Sequence, residues 1–501
     1  MKSPFITASF GLSFFTILMI GAICYAYFGW YEQRSLSFLY NKNKVETMTV
    51  SPQDNLSSIL STVNNYTILK LKPGKYVGQF LLKNKEKVNI IGTKGVFFFT
   101  ARETALTVQN CKNCTVENIT IQTEDKKKPA IVIQNAENLN LHYLQVKGET
   151  LVQAGCNQLN LKNINSTDSV KIDDSKNIQM NDCEFTAQTE HSLILTKLEN
   201  ISISNSTIKG ISFENVLGEE NSICNNTINS NNMKAIAIKK SQNIFLDNNN
   251  VTAEADDGIL VINSSYTTIG KKGNKIKSSQ GYSIIFSGCN NCILQGNSLL
   301  NQDDDKKCVV ILSSRSITCK DNTILGTPEY DNVGKIQALA GGGVSIRSSK
   351  EIILEDNTIK ESIMGIHVEK DSECKFLKNR IYENWGNGFE IENSQATLCE
   401  NTISQNIHGI QWKNSQGTIQ DNTISSNKND GILLDKSNPL IQGNTISKNT
   451  SNGISLKGNS LPTIQNNNIQ NNQYGIAFFQ PNRKDYPDNN FSDNMQGNFS
   501  H

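Results

Sequence analysis

Glu369 and Glu392 are the residues of this chain best placed to do chemistry, because they occupy equivalent positions in neighbouring copies of a short repeat. Each closes an alternating stretch, Gly365-Ile-His-Val-Glu369 and Gly388-Phe-Glu-Ile-Glu392, that reads as a strand with its apolar residues on one side. Ile366 and Val368 then point inward, and His367 and Glu369 outward. The same reading gives outward pairs Ser345/Arg347, Glu390/Glu392, Gln411/Lys413, Leu433/Asp435 and Ser455/Lys457. Parallel stacking of such strands about 4.8 Å apart places Arg347, Glu369, Glu392, Lys413, Asp435 and Lys457 in one column. Ser345, His367, Glu390 and Gln411 run beside it. Two carboxylates about 5 Å apart resist ionising together, so such a pair can divide acid and nucleophile or base roles. The candidate catalytic set is therefore Glu369, Glu392, His367 and Glu390. Arg347 and Lys413 are expected to bind acidic groups, and Tyr330, Tyr382 and Trp385 to offer flat stacking surfaces. The plainer reading of the same column is a surface ladder of mostly opposite charges, each pair contributing little.

Other clusters read as structural. Cys111-Lys-Asn-Cys114 and Cys289-Asn-Asn-Cys292 have the spacing of a zinc half-site. Both pairs fall at one place in the repeat, where other coils carry Ser and Asn, as in Lys240-Ser241-Gln242-Asn243. A position that accepts Cys, Ser or Asn asks for a small side chain. The run Asp303-Asp304-Asp305 has calcium-binding chemistry but reads as a solvated loop, and His408 occupies a turn position held elsewhere by Asn387, Asp430 and Asn452. No metal or other cofactor is expected.

The elements that would position these residues come from an internal period. Asn-x-Ile, or its Leu or Val form, recurs at Asn226, Asn249, Asn274, Asn297, Asn322, Asn357, Asn379, Asn401, Asn422, Asn444 and Asn467. A glycine followed by an apolar residue recurs in phase at Gly343, Gly365, Gly388, Gly409, Gly431, Gly453 and Gly475. Apolar runs of three or four residues alternate with Asn, Gly, Asp and Ser, which suits three short strands and three turns in about 22 residues. The expected fold is all-β: a solenoid of such coils over 67–480, with buried asparagine ladders at Asn401, Asn422, Asn444, Asn467 and at Asn384, Asn406, Asn427, Asn449. One coil is longer and carries Leu325 to Gln337 as a protruding loop, beside which Tyr382 and Trp385 fall. Residues 35–66 read as a linker and a capping helix with Asp54 as N-cap, and 481–501 as a loose polar tail.

Residues 1–34 form a different segment. From Phe5 to Tyr31 no residue is charged, a run longer than the roughly 20 residues a transmembrane helix needs, so a membrane anchor is expected. Cys24 follows Ile23, which is too large for a lipidation box. The net charge of +1 gives no reason to expect nucleic acid as a partner.

Ile68-Leu-Lys-Leu-Lys-Pro-Gly-Lys-Tyr-Val-Gly78, Val88-Asn-Ile-Ile-Gly92 and the Asn-x-Ile coils together resemble the pectin-lyase-like right-handed parallel β-helix superfamily, and within it NosD-type and carbohydrate-binding repeat proteins. The resemblance covers about residues 50–480. It implies a carbohydrate or polysaccharide partner, with the aromatics stacking on sugar rings, but does not decide activity, because this fold hosts enzymes and non-enzymes alike. Galacturonan-hydrolase signatures match only at Asp256-Asp257-Gly258, and the five histidines are too scattered for a NosD-like copper role. Three functions stand open: a membrane-anchored carbohydrate-binding β-helix, a polysaccharide lyase, hydrolase or epimerase using the outward carboxylates, and a protein-binding or structural scaffold. A positive-inside count on Lys2, Arg34, Lys42 and Lys44 keeps the β-helix cytoplasmic. A saccharide partner favours export, and an extracytoplasmic β-helix is the expectation. Oligomeric state is not encoded in any pattern we recognise.

Overall fold

The computed structural model describes residues 45–188, 191–326, 341–481 and 484–500, together with the backbone of Glu329–Tyr330 and Ile336–Ala338. The expected right-handed parallel β-helix is the fold. One coil shows the plan. Its first strand is Ile366–Glu369, its second Glu373–Leu377 and its third Arg380–Tyr382. Each pairs in parallel with its counterparts one coil away, as Val344–Arg347 does below Ile366–Glu369 and Phe389–Glu392 above it. Among the described residues the third strands form one ladder of 19, from Gly74–Val77 to Asn490–Ser492.

Inward positions are apolar and closed to solvent along the whole rod, from Leu69 through Ile366 and Trp412 to Ile476. At the corner between second and third strands the chain turns through a residue of positive φ, such as Lys378 or Glu400, and then a buried asparagine. The first asparagine ladder runs as expected: Asn401 Nδ2 donates to Asn422 Oδ1 at 2.9 Å, and Asn422 to Asn444 at 3.0 Å. The second runs through Asn384, Asn406, Asn427 and Asn449 and continues to Asn472. A third ladder, of serines, lies between first and second strands. Each hydroxyl there accepts the backbone N–H of the equivalent residue one coil earlier, as in Ser349 to Ser372 at 3.2 Å.

Several boundaries differ from the expectation. The solenoid begins earlier, because Glu46–Val50 already pairs with Thr67–Leu71. The capping helix spans Leu56–Thr62 and its N-cap is Asn55, not Asp54. Asp54 is occupied by the preceding turn, where it accepts from the Ser51 N–H and hydroxyl, both at 2.7 Å. The segment taken as a loose tail adds another coil: Asn490–Ser492 and Gly497–Phe499 pair onto the rod. Phe491 and Phe499 stand where other coils use Ile, while Asn489 and Asn494 extend the two ladders. In the long coil, Glu329–Tyr330 pairs antiparallel with Ile336–Ala338. Among the described residues no helix is long and apolar enough to cross a membrane. The run from Phe5 to Tyr31 lies outside them.

Candidate functional site

The expected register holds on the outer face of the first strands. Ser345 lies beside His367, His367 beside Glu390 and Glu390 beside Gln411; Arg347 lies beside Glu369 and Glu392 beside Lys413. Below this stretch the outward position is apolar, at Ile285 and Val310, and above it is Leu433. A polar row four coils long is thus bounded by apolar residues at both ends.

The two glutamates expected to divide acid and nucleophile or base roles each face a cation of their own. Arg347 Nε lies 3.2 Å from Glu369 and Lys413 Nζ 3.0 Å from Glu392. Each carboxylate is thus engaged by a cation from an adjacent coil. The column therefore reads as two opposed ion pairs.

Beside the row, at the corner leading into the first strand, a hydrogen-bond chain crosses the coils. Asn387 is buried, and its Nδ2 donates to Gln411 Oε1 at 2.7 Å and to Glu390 Oε2 at 3.4 Å. Asn387 Oδ1 accepts the His408 backbone N–H, and His408 Nδ1 sits 3.5 Å from Asp430. Asn452 donates to Asp430 in turn. Burial holds the His408 imidazole below its ordinary pKa, against the pull of Asp430 and with the push of Lys457. On acidification the unfolded chain takes up that proton first, so stability is lost as pH falls through about 6.5. His408→Asn, which copies Asn452, is expected to flatten the fall in melting temperature between pH 7 and 5; an unchanged slope would refute this assignment.

The aromatic candidates do not join the row. Tyr382 lies on the third strand, its ring near Lys360 and Arg380. Trp385 lies at the following corner, in a shallow depression of about 360 Å³ with Glu361, Glu383, Gln405 and Lys428. The Tyr330 side chain falls outside the described residues.

Two groups escaped the sequence reading. Lys234 Nζ lies 2.8 Å from Asp256 and 3.6 Å from Asp257, on the same corner as Asn387 but several coils lower. Burial pushes the Asp257 carboxyl up, although the Tyr282 N–H and Lys234 pull it down. Lys307, on that corner too, is pulled down by burial. Asp256-Asp257 was visible as a motif; the lysine 22 residues earlier became its partner only through the coil length.

The cysteine pairs pack as the turn positions expected. Cys289 continues the serine ladder, its N–H donating to Ser314 Oγ at 3.0 Å. The Cys111 thiol donates to the Leu82 and Gln109 carbonyls and the Cys114 thiol to those of Lys85 and Lys112, and the proximity of the two sulfurs together with burial holds the Cys114 thiol well above its usual range. Among the described residues no group of three or more metal-ligating side chains converges.

Three parallel ladders wound about one apolar axis define a β-helix whose candidate residues stand on its outer faces. The chain belongs to the right handed beta helix region family, whose model matches residues 154–326, 335–438 and 365–499. The match is to this family as a whole and singles out no narrower NosD-type group. Among solved structures, the chain is similar to the periplasmic alginate epimerase AlgG, at 11% identity over 70% of this chain and 82% of that one, with a TM-score of 0.33. It is also similar to the catalytic domain of a GH87 α-1,3-glucanase bound to tetrasaccharides, at 10% identity over 68% and 65%, TM-score 0.37. For the A-module of the Azotobacter vinelandii mannuronan C-5 epimerase AlgE4 the figures are 10% identity over 89% and 91%, TM-score 0.17. Likeness at this level goes no further than fold. No curated protein sequence matches the chain.

Proposed function

We propose that this protein is a carbohydrate-binding β-helix, tethered to a membrane by the segment containing Phe5 to Tyr31, that lays a saccharide along the first strands between Ser345 and Gln411. The observation that carries the reading is the bounded polar row. Ser345, His367, Glu390 and Gln411 repeat at rung spacing and give way to Val310 below and Leu433 above. A chain of hydroxyl-rich rings offers donors and acceptors at a comparable repeat. The row is held on strands whose own N–H and C=O groups are spent on neighbouring coils, so it is organised before any ligand arrives. Arg347 and Lys413, each ion-paired to a glutamate of the column, stand at its edge where acidic substituents would compete for them. The glutamates they pair with then orient them.

The full chain is expected to bind glycans on an array. Gln411→Ala and Ser345→Ala should each weaken binding roughly five-fold, the worth of about one hydrogen bond. Absence of any glycan ligand, or binding indifferent to both changes, refutes the proposal.

One observation favours a second reading, chemical modification of the glycan. Asp257 is a buried carboxyl with a raised pKa beside an ion-paired lysine and a second carboxylate, the environment in which acids are tuned. Under this reading Asp257→Asn abolishes product formation from array hits while binding survives.

A further inference from the structure

We infer that the N-terminal corner of the rod, around Lys72, Lys75, Lys94, Val77, Phe97 and Phe99, is a docking surface for an anionic lipid bilayer. This surface is separate from the row on the first strands and does not depend on what that row binds.

Charge is the first argument. From Thr67 to Thr100 the chain carries seven lysines, one glutamate, no aspartate and no arginine, within a protein of net charge +1. Two of the lysines are committed. Lys85 donates to the Ser61 and Val63 carbonyls, and Lys87 lies 3.9 Å from Glu86 and over the Tyr66 ring. Lys70, Lys72, Lys75, Lys83 and Lys94 are exposed, and none of them makes an ion pair among the described residues. Asp54, whose charge Lys72 feels, is taken up by the Ser51 N–H and hydroxyl. Such a surplus has no ion-pair partner among the described residues, and a negatively charged surface is its complement.

Placement is the second argument. Lys75 pairs in register with Phe97, and Val77 with Phe99, on the outer face of the first two third-strand rungs. Lys72 and Lys94 stand at the corner just before these strands, in successive coils, where Pro73 packs under Gly95. The lysines thus border an apolar spot. Val77 is 69% exposed, Phe97 and Phe99 are partly exposed, and Lys75 Nζ sits 3.5 Å from the centre of the Phe99 ring.

The fold does not ask for these side chains. The same outward positions are Thr120 and Gln122 one coil on, and Thr402/Ser404 and Thr423/Ser425 farther along. Apolar residues ringed by lysines are what an interfacial surface uses: the lysines meet headgroup charge and the aromatics enter the boundary region. Location agrees. The first strand begins at Glu46, 15 residues after the uncharged run that ends at Tyr31. A rod tethered at that end would rest on this corner and project its remaining coils away from the membrane. A polyanion such as heparin or duplex DNA would satisfy the lysines but leave the exposed valine and phenylalanines unused.

The test uses the full chain with phosphatidylcholine vesicles and with mixed phosphatidylcholine–phosphatidylglycerol vesicles. Acylation of each lysine by an amine-reactive reagent is read by peptide mapping, with Lys448 and Lys457 at the far end as references. The expected result is that Lys72, Lys75 and Lys94 react at least about five-fold more slowly on the anionic vesicles, that salt restores their reactivity, and that the references do not change. Lys75→Glu with Lys94→Glu, both at exposed positions, should abolish the protection of Lys72. Equal reactivity on both vesicles overturns the inference. So does protection spread evenly along the rod, or protection by heparin or DNA without protection by vesicles. Glycan binding measured on the double variant separates the two proposals, since it should be unaffected.

Discussion

Replacing Asn401 by alanine is expected to lower the stability of the rod by about 3–5 kcal/mol, as several buried polar groups lose their partners at once. Asn401 Nδ2 donates to Asn422 Oδ1, the Phe376 carbonyl and the Cys399 carbonyl, at 2.9, 2.9 and 3.1 Å. Its Oδ1 accepts the Asn379 backbone N–H at 2.9 Å and the Asn379 amide at 3.0 Å. All five bonds go with the side chain, and the Asn379 donors are left facing a dry cavity. The neighbouring Thr402 points outward, and Thr402→Ala should cost no more than about 0.5 kcal/mol. Urea unfolding, with hydrogen exchange to localise the damage to coils 379–422, is the measurement. Exchange is needed because stacked repeats need not unfold in one step. A loss below about 1 kcal/mol would mean the ladder is incidental.

Gly409→Ala should cost about 3 kcal/mol, the upper end of what overpacking a core usually does. A Cβ there would lie 2.5 Å from the Gly431 carbonyl oxygen, 2.6 Å from Ile424 Cγ2 and 3.0 Å from Asn427 Nδ2. The first of these is backbone locked in the next coil and cannot step aside. From Gly365 to Gly475 the glycine marker thus reflects close stacking of coils, not a left-handed turn; only Gly343, next to the long loop, adds a positive φ of +73°. Gly443 is the contrast. It has a φ of +70°, and its added Cβ would press on the mobile Asp421 carboxylate, so Gly443→Ala should cost nearer about 1 kcal/mol. If the two substitutions cost the same, the crowding account of the marker fails.

The asparagine ladders and the outward column were both legible in the chain, because each depends on one spacing. A strand alternates every second residue, and a coil returns after about 22, so Arg347 had to fall beside Glu369 and Glu392 beside Lys413. The last coil was not legible: its core positions hold Phe491 and Phe499 and its glycine marker is gone. Nor was the N-cap, where Asp54 and Asn55 both qualify and only the Ser51 contact separates them.

The candidate site divides along the same line. Position within a strand is a local property, and local periodicity alone established that His367, Glu369, Glu390 and Glu392 face outward. Contacts across a corner depend on the length and path of the turn in each coil, which varies along the chain. That is why Asn387 meeting Gln411, Lys234 meeting the Asp256-Asp257 pair, the placing of Tyr382 on the third-strand face and the packing of Trp385 against Glu361, Gln405 and Lys428 and not against the row emerged from the packed coils alone. Ion pairing is decided there as well, since the bases that engage Glu369 and Glu392 reach them from adjacent coils through side-chain conformations that no spacing encodes.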